Sequence, residues 1–483
     1  MNVVQVQMSL AELGDELEEG RLTSAELVDL YLQRIEAHNR AGARINAVRE
    51  VNPRAREEAR VLDAERAAGK LRGPLHGIPI IVKDNIGTAD GMKTTVGSIA
   101  FADFESPRDA FIVRRLRQAG AIIFGKANHT EFTDVMSDRM ASDFCAIAGQ
   151  VRNPYGFEYG RGGGSSTGPA AAVAAGFCAA SIGSETINSI QDPACTSSLV
   201  GLKPTVQLVS RAGIVPNCMS QDVAGPMTRS VRDAAILLNV IAGVDFDDPQ
   251  TLAAAGHVER DYEAGLDEAG LAGARIGVPR DVYFEGLDDD ELHITEQSLR
   301  KMREAGATIV DPADIPTARV VADIRSSILR NEFKSGFNAF LEALGPVAPV
   351  KSLDELIEYN RQDPDVRMPY GQALFETAAG MPGTDDPSYH ADRLKDVMIS
   401  RTAGIDAVMD EYQLDALVVP QARAAKILGK AGYPSIAVPA GYKKDGRGVG
   451  LTFFGRAFSE AKLLRLAYAY EALTKARKAP VLE

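Results

Sequence analysis

Over residues 77–243, short apolar runs alternate with stretches of helical periodicity. The runs Ile78–Val82 and Ala121–Phe124 have the length and composition of buried strands, whereas 110–119 and 231–241 have the spacing of helices. This alternation is typical of a largely parallel or mixed sheet packed against helices. The sequence therefore predicts an α/β fold.

Further elements are predicted on both sides of this region. Helices are predicted within residues 10–38, opened by Ser9 and by Thr23-Ser24, and again over 52–70. The remaining predictions are strands at 274–278 and 414–419, a segment 246–402 rich in helical patterns, and a closing helix at 459–473.

One lysine and two serine-rich, glycine-bearing segments are the strongest candidates for chemistry. Lys83 directly follows the apolar run Ile78–Val82, and the two segments are 162–166 and 183–189. Burial disfavours the charged form of a lysine, and a neutral lysine can take the proton of a serine nucleophile. These residues are therefore sufficient for acyl transfer without histidine.

Both features also have a purely structural interpretation. A lysine at a strand end often extends its charged group to solvent. Ser165 and Ser166 precede a predicted helix that has Pro169 in its first turn and Gly176 near its end, so their hydroxyls are candidate helix caps. The residues alone leave both interpretations open.

Four motifs occur along the chain, namely Gly77–Asn85, Gly163–Ser166, Gly183–Thr186 and Gly201–Thr205. They resemble the successive blocks of the amidase signature family. Ser165 and Ser189 are 24 residues apart, the interval that the family places between its two catalytic serines. Two further segments, 222–231 and 432–441, extend the resemblance to nearly the whole chain.

The resemblance implies the amidase signature fold, a mixed β-sheet core flanked by helices on both sides. It implies an amidohydrolase that cleaves a carboxamide, in particular a primary amide with release of ammonia, through an acyl-enzyme and without a cofactor or metal. By the same resemblance Lys83 is the general base, Ser165 the bridging serine held by a cis peptide bond, and Ser189 the nucleophile. The oxyanion hole would be formed by the backbone N–H groups of Thr186, Ile187, Asn188 and Ser189.

The chain is expected to form a single amidase domain over residues 1–483. Within it, the sequence predicts an N-terminal helical arm, a catalytic core, a helical cap or insert, and a C-terminal segment that completes the core. Their expected ranges are 1–70, 71–245, 246–402 and 403–483.

The chain departs from the family pattern around the proposed nucleophile. Ile187 and Asn188 replace two glycines that precede Ser189 in most members, and Gln191 and Asp192 replace an arginine and an apolar residue. A β-branched residue adopts a left-handed conformation only at a cost, so a turn that needs one would lose oxyanion donors. The alternatives are an amidase-fold binding protein, or an acyltransferase or amide synthase with an altered oxyanion turn. The proposed catalytic residues are all retained, which favours activity.

Two other site types fit the serine-rich motif less well. Gly164–Gly168 matches the Gly-x-Ser-x-Gly elbow of an α/β-hydrolase, but such an elbow follows a strand, and residues 153–161 are polar and glycine-rich. A dinucleotide site would need a third glycine where Thr167 stands. Both alternatives are therefore disfavoured.

Two segments bear on the substrate. Residues 149–155 and 220–227 resemble the peptide amidase branch more than the subunit that amidates misacylated transfer RNA. His129 is predicted to be a polar residue at a helix start rather than a metal ligand, since no second His or Cys stands at metal-binding spacing. Aromatic residues of the predicted cap are expected to be core, with substrate lining as the alternative: Phe333, Phe337, Phe340, Tyr359, Tyr370, Phe375 and Tyr389.

Composition restricts the remaining classes. The formal net charge of −13 disfavours nucleic-acid binding, and no run of apolar residues is long enough to span a membrane. Residues 1–8 lack the basic start and apolar core of a signal sequence, so we expect a cytoplasmic enzyme, a possible homodimer, with a small-molecule amide substrate. Four scattered cysteines are expected to be reduced: Cys145, Cys178, Cys195 and Cys218.

Overall fold

A single mixed sheet organises the computed structural model, which describes residues 3–159 and 163–482. Residues 160–162, which include the first glycine of the serine-rich motif, lie outside the described residues. The strands are β1 Val48–Val51, β2 Pro79–Lys83, β3 Ile122–Ala127, β4 Phe144–Cys145, β5 Gly149–Gln150, β6 Ala180–Glu185, β7 Val200–Lys203, β8 Val223–Thr228, β9 Arg275–Gly277, β10 Thr308–Val310, β11 Ala416–Pro420, β12 Ser435–Tyr442 and β13 Gly448–Phe454.

The large sheet has 11 strands in the order β1-β3-β2-β6-β8-β7-β12-β13-β11-β9-β10, and β4 pairs separately with β5. Strand β2 runs parallel to both β3 and β6, whereas β6 and β8 are antiparallel. The sheet is therefore mixed, as predicted. The strands predicted at 78–82, 121–124, 274–278 and 414–419 correspond to β2, β3, β9 and β11.

Helices surround the sheet, and the predicted ones are present. The first two long helices begin with capping boxes. The Ser9 and Thr23 hydroxyls accept hydrogen bonds from the backbone amides three residues ahead. The helices are α1 Val3–Val6, α2 Leu10–Glu18, α3 Ser24–His38, α4 Ala55–Ala67, α5 Phe111–Gln118, α6 Thr167–Ala175, α7 Gln191–Thr196, α8 Val231–Ile241, α9 Asp289–Glu304, α10 Ala318–Asp323, α11 Ile328–Leu344, α12 Leu353–Arg361, α13 Pro364–Arg367, α14 Ala373–Ala379, α15 Pro387–Ser400, α16 Asp406–Tyr412, α17 Ala425–Ala431 and α18 Glu460–Thr474. Shorter 3-10 turns span Ile99–Phe101, Glu131–Asp134, Pro249–Ala254 and Gly345–Val347, and a π-helical turn spans Arg401–Ile405.

Strand β1 was not predicted from the sequence. Strand β1 pairs antiparallel with β3, and Val51 lies opposite Gly125. A Cβ atom on Gly125 would stand 2.6 Å from the carbonyl oxygen of Glu50, so the glycine permits this close approach. The strand is only 4 residues long and carries two charged residues, so no alternating pattern marks it.

Both faces of the sheet are covered by apolar residues. In β11, Ala416 and Val418 belong to the main hydrophobic core, whereas Leu417 and Val419 pack into a second cluster. Successive side chains of a strand point to opposite faces, so the sheet is buried on both sides. This arrangement confirms the α/β prediction with helices on both sides.

A third apolar cluster joins the cap segment to the rest of the chain. Phe333, Phe337 and Phe375 are buried there, and each ring lies within 6.5 Å of the ring of Phe132. The prediction that these three rings are core is confirmed. Tyr370, by contrast, is 40% exposed.

Two further observations concern the chain as a whole. The four cysteines are all buried, and none forms a disulfide, as expected. Within residues 3–159 and 163–482, no helix combines the length and apolar character needed to cross a membrane.

Candidate active site

The sheet topology places Lys83 beside the turn that ends in Ser189. Strands β2 and β6 are parallel neighbours, so their carboxyl ends reach the same edge of the sheet. Lys83 is the last residue of β2, and β6 ends at Glu185, directly before the turn 186–189. The Lys83 Nζ group donates a hydrogen bond to the carbonyl oxygen of Ser184 at 3.1 Å.

The serine-rich loop brings two hydroxyls to the same amine. Lys83 Nζ lies 2.6 Å from Ser165 Oγ and 3.0 Å from Ser166 Oγ. The peptide bond between Gly164 and Ser165 is cis, as the resemblance implies. A Cβ atom on Gly164 would stand 2.1 Å from the carbonyl oxygen of Ser142, so only glycine allows the loop to pass this close to a neighbouring segment.

The two structural interpretations from the sequence are wrong here. Lys83 does not extend to solvent, since it is fully buried. Ser166 is the residue before α6, but its side chain makes no capping bond to the helix. Its hydroxyl instead donates to the carbonyl of Ser184 at 2.9 Å and accepts from the Ser184 amide at 3.2 Å. The side chains of Lys83 and Ser166 therefore belong to one polar cluster next to the serine-rich loop.

The buried position of Lys83 changes its protonation. Burial lowers the pKa of Lys83 to about 7, although the carboxylates of Asp222, Glu185 and Asp134 act in the opposite direction. A large fraction of the amine is therefore neutral near pH 7, and a neutral amine can accept a proton.

Ser189 lies next to this cluster and, in the described part of the chain, contacts it through its backbone carbonyl, not through its hydroxyl. Its carbonyl oxygen accepts a hydrogen bond from the Ser166 amide at 3.1 Å, and the residue is 7% exposed. Among the described residues, no hydrogen bond joins the Ser189 and Ser165 hydroxyls. The structure thus brings Lys83 and Ser165 into direct contact and places Ser189 on the adjacent turn.

The turn 186–189 does not need left-handed residues. Neither Ile187 nor Asn188 is among the described residues with positive φ. The glycine replacements therefore impose no backbone strain of the kind that the sequence suggested. The Glu185 carboxylate accepts hydrogen bonds from the backbone amides of Ile190 at 2.6 Å and Gln191 at 2.9 Å. These bonds fix the end of the turn.

Three carboxylates near the site were not assigned a role from the sequence. Glu185 and Asp222 lie inside recognisable motifs, and that membership was the available signal. Asp222 accepts a hydrogen bond from Thr186 Oγ1 at 2.6 Å, which holds the start of the turn. Asp134 had no such signal, because its position follows from three successive residues in left-handed conformation, Phe132, Thr133 and Asp134.

His129 directly precedes Thr130, the N-cap of the 3-10 turn Glu131–Asp134, which is close to the predicted helix start. Its side chain is fully buried, and within residues 3–159 and 163–482 neither ring nitrogen has a hydrogen-bond partner. Burial, together with the nearby Lys83, keeps its pKa well below the usual range, so the ring is neutral. The described residues contain no group of three or more His, Cys, Asp or Glu side chains placed to hold a metal ion.

The α/β-hydrolase interpretation fails on topology. A nucleophile elbow joins a strand of the main sheet to a helix. Within the described residues, the strand that precedes Ser165 is β5, which belongs to the separate pair with β4. Ser165 therefore does not occupy an elbow.

Comparison with known proteins shows the family to which the chain belongs. A model of the family described as Amidase matches residues 26–464. A probable amidase of Arabidopsis thaliana is 37% identical over 472 residues, which cover 96% of this chain and 89% of the plant protein. The A subunit of glutamyl-tRNA(Gln) amidotransferase from Halorhodospira halophila is 34% identical over 492 residues, or 97% of each chain.

The fold of a solved relative matches equally well. The X-ray structure of native peptide amidase from Stenotrophomonas maltophilia has a TM-score of 0.92, with 41% sequence identity and 99% of each chain covered. Because the family model and these relatives span nearly the whole chain, the protein belongs to the amidase signature family and is an amide-hydrolysing enzyme.

Proposed function

We propose that the enzyme hydrolyses a primary carboxamide to a carboxylic acid and ammonia through Lys83, Ser165 and Ser189. The observation that carries the proposal is a fully buried lysine, 2.6 Å from the Ser165 hydroxyl, beside the turn that ends in Ser189. The similarity to a peptide amidase supports a terminal carboxamide as the substrate class.

The relay starts from neutral Lys83. Two N–H groups of a neutral amine suit the Ser184 carbonyl and the Ser166 hydroxyl, which leaves the lone pair for the Ser165 proton. Ser165 in turn takes the proton of Ser189, whose oxygen attacks the amide carbon while the carbonyl electrons move to oxygen. Because the two hydroxyls are not bonded in the described structure, Ser189 must rotate toward Ser165 when substrate binds.

The oxyanion is held by backbone N–H groups of the turn. The candidate donors are the amides of Thr186, Ile187, Asn188 and Ser189. Each such donor contributes on the order of 100- to 1,000-fold in rate. Because these are backbone groups, Ile187 and Asn188 can serve as well as glycine, which disfavours a protein that only binds.

Collapse of the oxyanion breaks the C–N bond and leaves an acyl group on Ser189. The nitrogen departs with the relayed proton as ammonia. Water then attacks the acyl carbon, its proton returns along the same relay, and Ser189 and the carboxylic acid are released. The net reaction consumes one water for each amide bond.

Labelling with a fluorophosphonate probe tests the nucleophile without knowledge of the substrate. We expect one adduct on Ser189, located by mass spectrometry, and at least about 100-fold slower labelling in Lys83→Met, because the base is lost. Ammonia release from peptides with a C-terminal carboxamide should fall in parallel in Lys83→Met and disappear in Ser189→Ala.

Ser166→Ala is the matched control. It removes a hydroxyl that contacts the same amine, and it should slow the reaction by about 10-fold without abolishing it, since one neutral hydrogen bond is lost. An adduct on Ser166, or turnover by Ser189→Ala at the wild-type rate, would contradict the proposed relay.

A transamidase subunit is the second candidate, because an amidotransferase A subunit is 34% identical to the chain. Such a subunit should depend on a partner, whereas a free-standing amidase hydrolyses amides alone. An amide synthase or acyltransferase would use the same acyl-enzyme, so product analysis with added amine distinguishes it from a hydrolase.

A further inference from the structure

A cleft of about 550 Å³ opens beside the proposed oxyanion turn. Ile187 and Asn188, the two residues directly before Ser189, form part of its wall together with Gly163 of the serine-rich loop. The segment that follows β11, from Gln421 to Lys426, contributes to the lining as well. A substrate whose carbonyl group lies at Ser189 therefore has this cleft next to it.

The carboxylate of Asp192 lines the cleft three residues after Ser189. Its Oδ2 atom lies 3.2 Å from the position of a Cβ atom on Gly163, so it stands against the serine-rich loop. The side chain is partly buried. Within the described residues, it accepts no hydrogen bond and forms no ion pair.

The cations that line the same cleft are already bound elsewhere. Lys443 and Arg447 form ion pairs with other carboxylates. Lys426 and Arg423 donate hydrogen bonds to backbone carbonyls, and Arg423 is exposed to solvent. Within the described residues, two carboxylates of the cleft have no direct partner, Asp192 and Glu158. Asp192 is partly buried, whereas Glu158 is exposed to solvent.

The electrostatics of Asp192 favour a cationic ligand. Burial raises the pKa of Asp192 to about 7, the carboxylates of Glu185 and Glu291 add to this effect, and Arg423 opposes it. A partly desolvated carboxylate surrounded by other acids gains more from a neighbouring cation than an exposed one does.

We propose that Asp192 makes the enzyme selective for amides whose acyl part carries a protonated amine or a guanidinium group. The cation would enter the cleft beside the turn 186–189 and pair with the Asp192 carboxylate. The proposal rests on the proposed function in one respect, namely that the amide carbonyl is bound at Ser189.

The test compares two substrates of similar length, N-acetyl-lysinamide and N-acetyl-norleucinamide. We expect kcat/KM of the wild type to favour the lysine compound by about 10- to 100-fold, the lower part of the range known for close charge pairs. Asp192→Asn keeps the shape and removes the charge, and it should reduce this ratio by about 10-fold or more, mainly through KM. Glu158→Gln alters an exposed carboxylate at the same cleft and should leave the ratio unchanged.

Calorimetric binding of both compounds to the Ser189→Ala variant separates recognition from catalysis. Tighter binding of the lysine compound, lost in Ser189→Ala/Asp192→Asn, supports the proposal even if the amide chemistry is wrong. Equal binding, a preference for the neutral compound, or an equal loss for both compounds in Asp192→Asn would overturn it. Turnover of both compounds at equal rates overturns the selectivity and leaves the proposed function intact.

Discussion

At the scale of single residues, the charge of Lys83 is decided by competing effects. Three carboxylates favour its ammonium form, and complete burial favours the neutral form and prevails. The same residue at an exposed strand end would be charged at pH 7. Catalytic use of this lysine therefore depends on the loop and strands that exclude water from it.

The pH dependence of kcat/KM should report this residue. Because the ammonium form cannot accept a proton, we expect activity to fall as pH drops through about 7. Asp134→Asn removes a carboxylate that favours the ammonium form, so it lowers the pKa of Lys83 and moves the acid limb to lower pH. The rate at pH 6 should then rise by about 2- to 3-fold relative to the plateau.

The control for this profile is Asp138→Asn, which alters an exposed carboxylate in the same segment. It should leave the acid limb in place. A limb that moves to higher pH in Asp134→Asn, or that does not move, would show that another group controls the rate.

At the scale of elements, glycines determine how closely the loops and helix α6 approach their neighbours. Gly168 lies in the first turn of α6, and a Cβ atom there would stand 1.8 Å from the carbonyl oxygen of Asn128. The helix therefore reaches its position only with glycine at this site. Since α6 follows Ser165 and Ser166 directly, the same contact positions both hydroxyls.

Gly168→Ala should therefore damage both stability and activity. A backbone oxygen cannot move aside as a flexible side chain does, so we expect a loss of about 1–3 kcal/mol in the free energy of unfolding. Displacement of Ser165 should slow fluorophosphonate labelling of Ser189 by about 100-fold. Urea unfolding and labelling kinetics measure the two effects.

Gly14→Ala provides the comparison, because Gly14 lies within α2 with open space around its Cβ position. Alanine has the higher helix propensity, so this change should stabilise the protein by about 0.5–1 kcal/mol. Equal effects of the two substitutions would refute the packing explanation for Gly168.

At the scale of the whole molecule, an aromatic cluster connects the cap segment with the segment that carries Asp134. Phe132 belongs to that segment, and its ring contacts three rings from α11 and α14. The cluster therefore couples the fold of residues 328–379 to the position of Asp134.

Phe337→Ala should weaken this connection. Phe337 is fully buried, and removal of a buried phenylalanine side chain costs about 3–5 kcal/mol. We expect a lower unfolding midpoint in urea, followed by fluorescence and circular dichroism. Val320→Ala, at a site in α10 that is 49% exposed, should change stability by less than about 0.5 kcal/mol. A similar cost at both sites would mean that the cluster contributes little.

Several predictions about the whole molecule stay open to experiment. We propose the division into an arm at 1–70, a core at 71–245, a cap at 246–402 and a closing segment at 403–483. The cytoplasmic location, the homodimer and the lack of nucleic-acid binding likewise stay predictions from the sequence.

Elements whose cause is local were predictable from the sequence. Periodicity predicted β2, β3 and α8, and the capping residues Ser9 and Thr23 located two helix starts. The motifs also identified the family and the residues proposed for catalysis, because hydrogen-bonding and nucleophilic residue types recur there at fixed spacing. All of these signals are present within short stretches of chain.

The contacts between those residues depend on how distant segments pack together. The bond between Lys83 and Ser165 joins residues 82 positions apart, and no local pattern reports that Ser166 contacts the same amine. The sequence also did not predict the backbone conformation of Ile187 or the pairing of β1 with β3. It did not predict that the Asp192 carboxylate has no partner among the described residues. Each depends on packing between distant segments, and that packing, rather than residue type, sets burial, backbone conformation and charge.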